Sequence, residues 1–155
     1  MQTIAESAVL GDLLYEYTVG ITAMTEYGVS LGDLMSGAAP IPPGGARFDV
    51  WFEGPVESAK LSGVAKGVDY LYVRADGQMD LHIHATIEAS NGDRISLDAD
   101  GTCMATPGNP VAELRENVRL FSSHATYAWV NPLQIWGIGT VDLAAGKVHI
   151  KGFAA

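Results

Sequence analysis

Between Asp80 and Glu88 every second residue is polar (Asp80, His82, His84, Thr86, Glu88), with Leu81, Ile83, Ala85 and Ile87 at the positions between. A period of two is the mark of a β-strand with one apolar face, so both imidazoles share the other face. Imidazole changes charge near neutral pH and either moves a proton or ligates a metal. A carboxylate set against one ring would fix its tautomer and raise its basicity, which is the requirement of general acid–base catalysis.

Two turn signals flank this strand, Asp76-Gly77 and Asn91-Gly92, so Val68 to Cys103 reads as three consecutive antiparallel strands. If each pair is a two-residue hairpin loop, Ala75 lies opposite Gln78, Leu71 opposite His82 and Asp69 opposite His84. The second turn then places Thr86 opposite Leu97 and His84 opposite Ala99. Solvent readily holds Ser96, Asp98 and Asp100, so the register turns Asp69, His82, His84, Thr86 and Glu88 inward beside Leu71, Val73, Ile95, Leu97 and Ala99. The expected interior is an apolar pocket with a few convergent polar groups. Leu81, Ile83 and Ile87 would face outward, which leaves room for a homodimer.

Three kinds of function fit this strand. In the first, a cofactor-free enzyme uses His84, oriented by Asp69, to move a proton, while His82 or Tyr127 polarises a carbonyl or delivers a second proton. Addition or elimination of water, isomerisation, cyclisation and retro-aldol cleavage belong to this lyase and isomerase class. Tyr70, Thr86, Glu88, His124, Trp129 and Asn131 make up the candidate substrate-binding set. In the second, His82, His84 and Glu88 resemble the first metal motif of cupins, with His124 completing a divalent transition-metal site. The third is binding of a small hydrophobic or aromatic molecule without catalysis, in a barrel lined by Tyr15, Tyr17, Phe52, Trp129 and Trp136.

Composition narrows the partners. Eighteen acidic against nine basic side chains give a formal charge of -9, a field that repels nucleic-acid phosphates and anionic lipid. Cys103 is the only cysteine, which excludes an intrachain disulfide and fits a reducing cytoplasm. The N-terminus lacks a basic region and a long apolar run, so it reads as a soluble, intracellular protein without a secretory signal. At 155 residues and 48% hydrophobic content the chain is expected to form one domain with a real core.

Along the chain, residues 1 to 11 read as a short helix or an extended lead-in, and Leu13 to Ala23 alternates as a strand. Ser30 caps a single helical turn ending at Gly37, and the run from Ala38 to Ala46, rich in proline and glycine, is a surface loop that could form a rim or lid. Arg47 to Phe52 and Ala59 to Ala65 read as strands separated at Gly54-Pro55. Asn109 and Pro110 signal the start of a short helix through Asn117. Val118 to Tyr127, Leu133 to Leu143 and Lys147 to Phe153 complete eight to ten strands, enough for a closed barrel or jelly roll. Arg74 is expected in a surface ion pair, Asn131 as a turn cap, and His149 without an evident partner.

From about Phe52 onward, Phe52-Glu53-Gly54-Pro55, Gly67-Val68-Asp69-Tyr70, Val73-Arg74-Ala75-Asp76-Gly77, Asn91-Gly92 and Tyr127-Ala128-Trp129-Val130-Asn131 occur in an order and spacing that resemble the bacterial family called domain of unknown function 3237. The resemblance implies an all-β fold, a single antiparallel β-barrel of the allene oxide cyclase or calycin type with one or two short helices. It implies no settled chemistry. The family tends to carry Asp and Arg where this chain has His82 and His84, and Trp in place of Tyr70.

Overall fold

The computed structural model describes residues 11–154, which form one closed barrel of eight antiparallel strands, each hydrogen-bonded to the next in sequence and β8 to β1. The strands are β1 (Asp12–Glu26), β2 (Ala46–Glu57), β3 (Gly63–Val73), β4 (Met79–Ala89), β5 (Arg94–Met104), β6 (Val111–Phe121), β7 (Ile135–Asp142) and β8 (Lys147–Ala154). Closure leaves no exposed edge, and eight strands make an interior just wide enough to be filled by side chains or to hold one small ligand. The lead-in expected before β1 lies, apart from Gly11, outside the described residues.

Both hairpins around β4 differ from the expected register by one residue. Arg74 N–H donates to the Gln78 carbonyl and Gly77 N–H to the Arg74 carbonyl, so Ala75, Asp76 and Gly77 form a three-residue loop with Gly77 at φ 92°. Ala89 N–H likewise donates to Asp93 and Gly92 N–H to Ala89, with Gly92 at φ 90°. Only the left-handed backbone of glycine closes a loop of this kind without strain. Asp69 therefore lies opposite Ile83, Val68 opposite His84, His84 opposite Asp98 and Thr86 opposite Ser96.

A slip of one residue exchanges the faces of a strand. Leu81, Ile83, Ala85 and Ile87 are buried in the core, while His82, His84, Thr86 and Glu88 are exposed on the outer wall. The outward apolar face expected for a homodimer is thus not on β4. Asp69, Leu71, Val73, Ile95, Leu97 and Ala99 point inward, and Ser96, Asp98 and Asp100 outward, as expected.

The predicted helix at 110–117 is instead the first part of β6. Asn109 Oδ1 accepts Val111 N–H at 2.9 Å, and Ala112, Leu114, Glu116, Val118 and Leu120 alternate into the interior. β2 runs unbroken through Gly54-Pro55, where β1 passes so close that a Cβ on Gly54 would come within 2.7 Å of Val19 Cα. The strand expected through Tyr127 ends at Phe121, and residues Ala125–Val130 form a 3-10 helix.

Two short elements cap the barrel. In α1 (Leu31–Ser36), Ser30 accepts Asp33 N–H at 3.2 Å, and Gly37 ends the helix in the left-handed conformation, as the sequence indicates. This helix lays Leu31 and Met35 across one mouth. At the other, the 3-10 helix buries Tyr127 and Val130.

Candidate functional site

Inside the barrel, below α1, lies a cavity of about 70 Å³. That is several times the space one ordered water requires. Its wall is apolar almost throughout, with residues such as Val19, Phe52, Leu81, Ile83, Leu114 and Val148, and it is broken by two carboxyl groups, Asp69 from β3 and Glu116 from β6. Tyr17 of β1 and Cys103 of β5 supply its other polar atoms.

Glu116 is only 3% exposed, and its Oε1 has no hydrogen-bond partner among the described residues. Burial first, and the neighbouring Asp69 charge second, push its carboxyl up to about 8, so it carries its proton at neutral pH. Space for it comes from Gly137 on β7, where a Cβ would sit 3.0 Å from Oε1.

Asp69 occupies a break in the barrel wall. The ladder between β3 and β4 is interrupted at Tyr70 and Leu71, and Asp69 Oδ1 accepts the His82 backbone N–H at 3.0 Å. Burial raises its carboxyl to about 6, and that hydrogen bond opposes the rise. Asp69 keeps part of its surface in solvent, which is why it moves less than Glu116. Two carboxyls in one apolar chamber are thus held apart in proton affinity, the arrangement that separates an acid from a base.

The phenols beside them are buried. Tyr15 stacks on Tyr17 with ring centroids 5.9 Å apart, and the Tyr15 hydroxyl has no hydrogen-bond partner among the described residues. Burial and the nearby Glu116 raise both phenols well above their usual range, and burial followed by the Asp69 charge raises the Cys103 thiol to about 11. Both phenols therefore serve as neutral hydroxyl groups, and Cys103 is no thiolate nucleophile at neutral pH.

Of the residues expected at the site from sequence, Asp69 alone reaches the cavity, joined by Tyr17 and Phe52 from the aromatic set. His84 does not face Asp69 across the strands; its Nε2 lies 3.2 Å from His82 Nε2 and 3.6 Å from Asp98 Oδ1 on the outer wall. Tyr70 is outside too, with its ring edge toward both imidazoles. The expected metal set is dispersed: Glu88 sits 3.8 Å from Arg94, and His124 Nδ1 3.3 Å from Asp93. Tyr127 is buried in the 3-10 helix away from the cavity, Trp129 is surface-exposed beneath Lys60, and Trp136 is exposed on β7. Asn131 ties the 3-10 helix to the end of β6, accepting Ser122 N–H at 2.8 Å and donating to its carbonyl at 2.9 Å. Arg74 pairs with Asp76 at 2.9 Å, and His149 has a partner after all, Glu16 at 2.5 Å.

Glu116 is the residue that sequence reasoning missed. Ala112, Leu114, Val118 and Leu120 share one parity, and the acid standing in that series was the available signal.

Fold and site together define a small closed β-barrel with an interior carboxyl pair. Solved structures share the fold at low identity. A β-barrel-like protein from Acinetobacter baumannii matches with 17% identity and a TM-score of 0.74, over 92% of this chain and 93% of its own. A conserved protein of unknown function from Rhodopseudomonas palustris matches with 18% identity and a TM-score of 0.71, over 92% and 94%. An enzyme from Penicillium herquei matches with 15% identity and a TM-score of 0.61, over 96% and 97%. At such identities the likeness is one of fold. No family model and no curated protein matches the chain. No helix among the described residues is long and apolar enough to cross a membrane.

Proposed function

We propose that the barrel is a cofactor-free acid–base enzyme acting on a small apolar carbonyl compound, with Asp69 as the base and Glu116 as the acid. The observation that carries this reading is Glu116 Oε1, a buried and unpartnered oxygen at the wall of an apolar cavity. A buried polar group without a partner is costly unless it is used. Protonated, Glu116 would donate a hydrogen bond to the carbonyl oxygen and pass its proton as the oxygen gains charge. Asp69 would accept the proton leaving the adjacent carbon; its return to a different carbon, with the enol oxygen giving its proton back to Glu116, completes an isomerisation and restores both carboxyls. The apolar wall strengthens both interactions by excluding water.

This reading keeps the lyase and isomerase class but moves the catalytic pair from His84 and Asp69 to Asp69 and Glu116. Membership in the domain of unknown function 3237 family, argued from the five motifs, and a cytoplasmic location, argued from the lone cysteine, form part of the same proposal. A cavity of about 70 Å³ limits the occupant to a compact molecule.

The test follows proton–deuterium exchange next to the carbonyl of small cyclic ketones and enones in D₂O by NMR. The wild-type protein is expected to accelerate exchange, and Asp69→Asn and Glu116→Gln each to slow it roughly 100-fold. Saturable binding without any exchange would replace the enzyme reading by that of a binding protein, and exchange undiminished in both variants would remove the pair from the chemistry.

A further inference from the structure

Outside the cavity, β4 and β5 carry a second cluster. His82 and His84 project from the outer face of β4, with Asp100 and Asp98 directly opposite them on β5. His84 Nε2 lies 3.2 Å from His82 Nε2 and 3.6 Å from Asp98 Oδ1, and the three ligand atoms all fall within 4.8 Å of one another. For bonds of about 2.0–2.1 Å in tetrahedral geometry, neighbouring ligand atoms sit roughly 3.3–3.4 Å apart. Two of the spacings bracket that value, and a small rotation of the exposed Asp98 carboxylate closes the third.

From this geometry we infer that His82, His84 and Asp98 form a site for a divalent transition metal of the zinc type on the outer wall. Two imidazoles and one carboxylate form a donor set suited to such ions, with the remaining coordination left to water. Three features prepare the site. The rings are held at the i and i+2 positions of a rigid strand, so little freedom is lost on binding. Tyr70 sets its ring against both, with centroids 6.2 and 6.3 Å away, and is itself held beneath the Arg47 guanidinium at 5.8 Å. Asp100 is fixed by Asn117 Nδ2 at 2.9 Å and adds negative charge beside the rings on a chain of net charge -9. Neither Glu88 nor His124 belongs to the set.

A bound ion would join β4 to β5 beside the break in the β3–β4 ladder, since the His82 main chain there also holds Asp69. Its three ligand residues all lie outside the cavity lining.

Calorimetric titration of the full chain with Zn(II), paralleled by Co(II) visible absorption, tests the inference. One equivalent should bind saturably, with a Co(II) spectrum of nitrogen and oxygen ligation, and raise the Tm by roughly 5 °C. His82→Ala and His84→Ala should each weaken binding by roughly 100-fold or more and Asp98→Asn by roughly tenfold, while His124→Ala and Glu88→Gln leave it unchanged. All five positions are exposed, so circular dichroism of the metal-free variants should match wild type. No saturable binding, or binding at full strength in His84→Ala, would overturn the site.

Discussion

Glu116→Gln is expected to make the protein more stable at alkaline pH while removing its proposed acid. In the folded barrel Glu116 keeps its proton to about pH 8, against a usual value of 4.5. Between those two values the folded state binds more protons than the unfolded chain, so stability falls as pH rises through the window and falls no further above it. At roughly 1.4 kcal/mol per unit, the full loss is on the order of 5 kcal/mol. The groups sharing its surroundings are Asp69 from β3, Tyr15 and Tyr17 from β1 and Cys103 from β5, none of them cationic. Glutamine removes the Glu116 part of this slope. The variant should match wild type near pH 4.5 and exceed its Tm by on the order of 10 °C at pH 9, measured by thermal unfolding across that range. An equal pH dependence in both proteins would mean that Glu116 is ionised in the fold.

The second large effect lies two strands from Glu116, where Gly152 of β8 pairs with the Gly137 of β7 that makes room for it. Gly152 of β8 faces the interior directly against the Tyr15 ring, which a Cβ at that position would overlap. Tyr15 is completely buried and stacked on Tyr17, so its ring cannot swing out to solvent. Gly152→Val should cost about 3 kcal/mol through overpacking and lower the Tm by roughly 6–12 °C. Pairing the substitution with Tyr15→Ala should recover much of that loss, a coupling that a double-mutant cycle measures. Additive losses would mean that the Gly152 requirement comes from the backbone and not from the ring.

The barrel was legible because alternation survives in most strands and because two glycine turns announce consecutive hairpins. The face of β4 was not. Asp76-Gly77 and Asn91-Gly92 suit a two-residue loop as well as the last two positions of a three-residue one, and no side chain distinguishes Ala75 or Ser90 as a strand end from either as the first loop residue. Each hairpin was displaced by one residue, and the two errors cancelled on β3 and β5, whose inward residues were read correctly. Only β4, which lies between the two displacements, is turned over, so His82 and His84 exchange sides with Leu81 and Ile83.

The failure at β6 has a different origin. Asn109-Pro110 carries the chemistry of a helix start, and Glu116 interrupts the apolar parity that would have marked a strand. A buried acid in an interior position contradicts local pattern, and such contradictions gather at functional sites. Asp69 was placed inward correctly but given the wrong partner. Its true neighbour across the cavity comes from a strand far away in sequence, which no hairpin count reaches.

The most direct measurement is an NMR titration of the Glu116 carboxyl carbon in protein labelled with carbon-13 at glutamate side chains, assigned by Glu116→Gln. The account predicts a midpoint near 8, far above the other glutamates. A midpoint at or below 5 would show Glu116 ionised at neutral pH, and the interior acid on which the proposed chemistry depends would not exist.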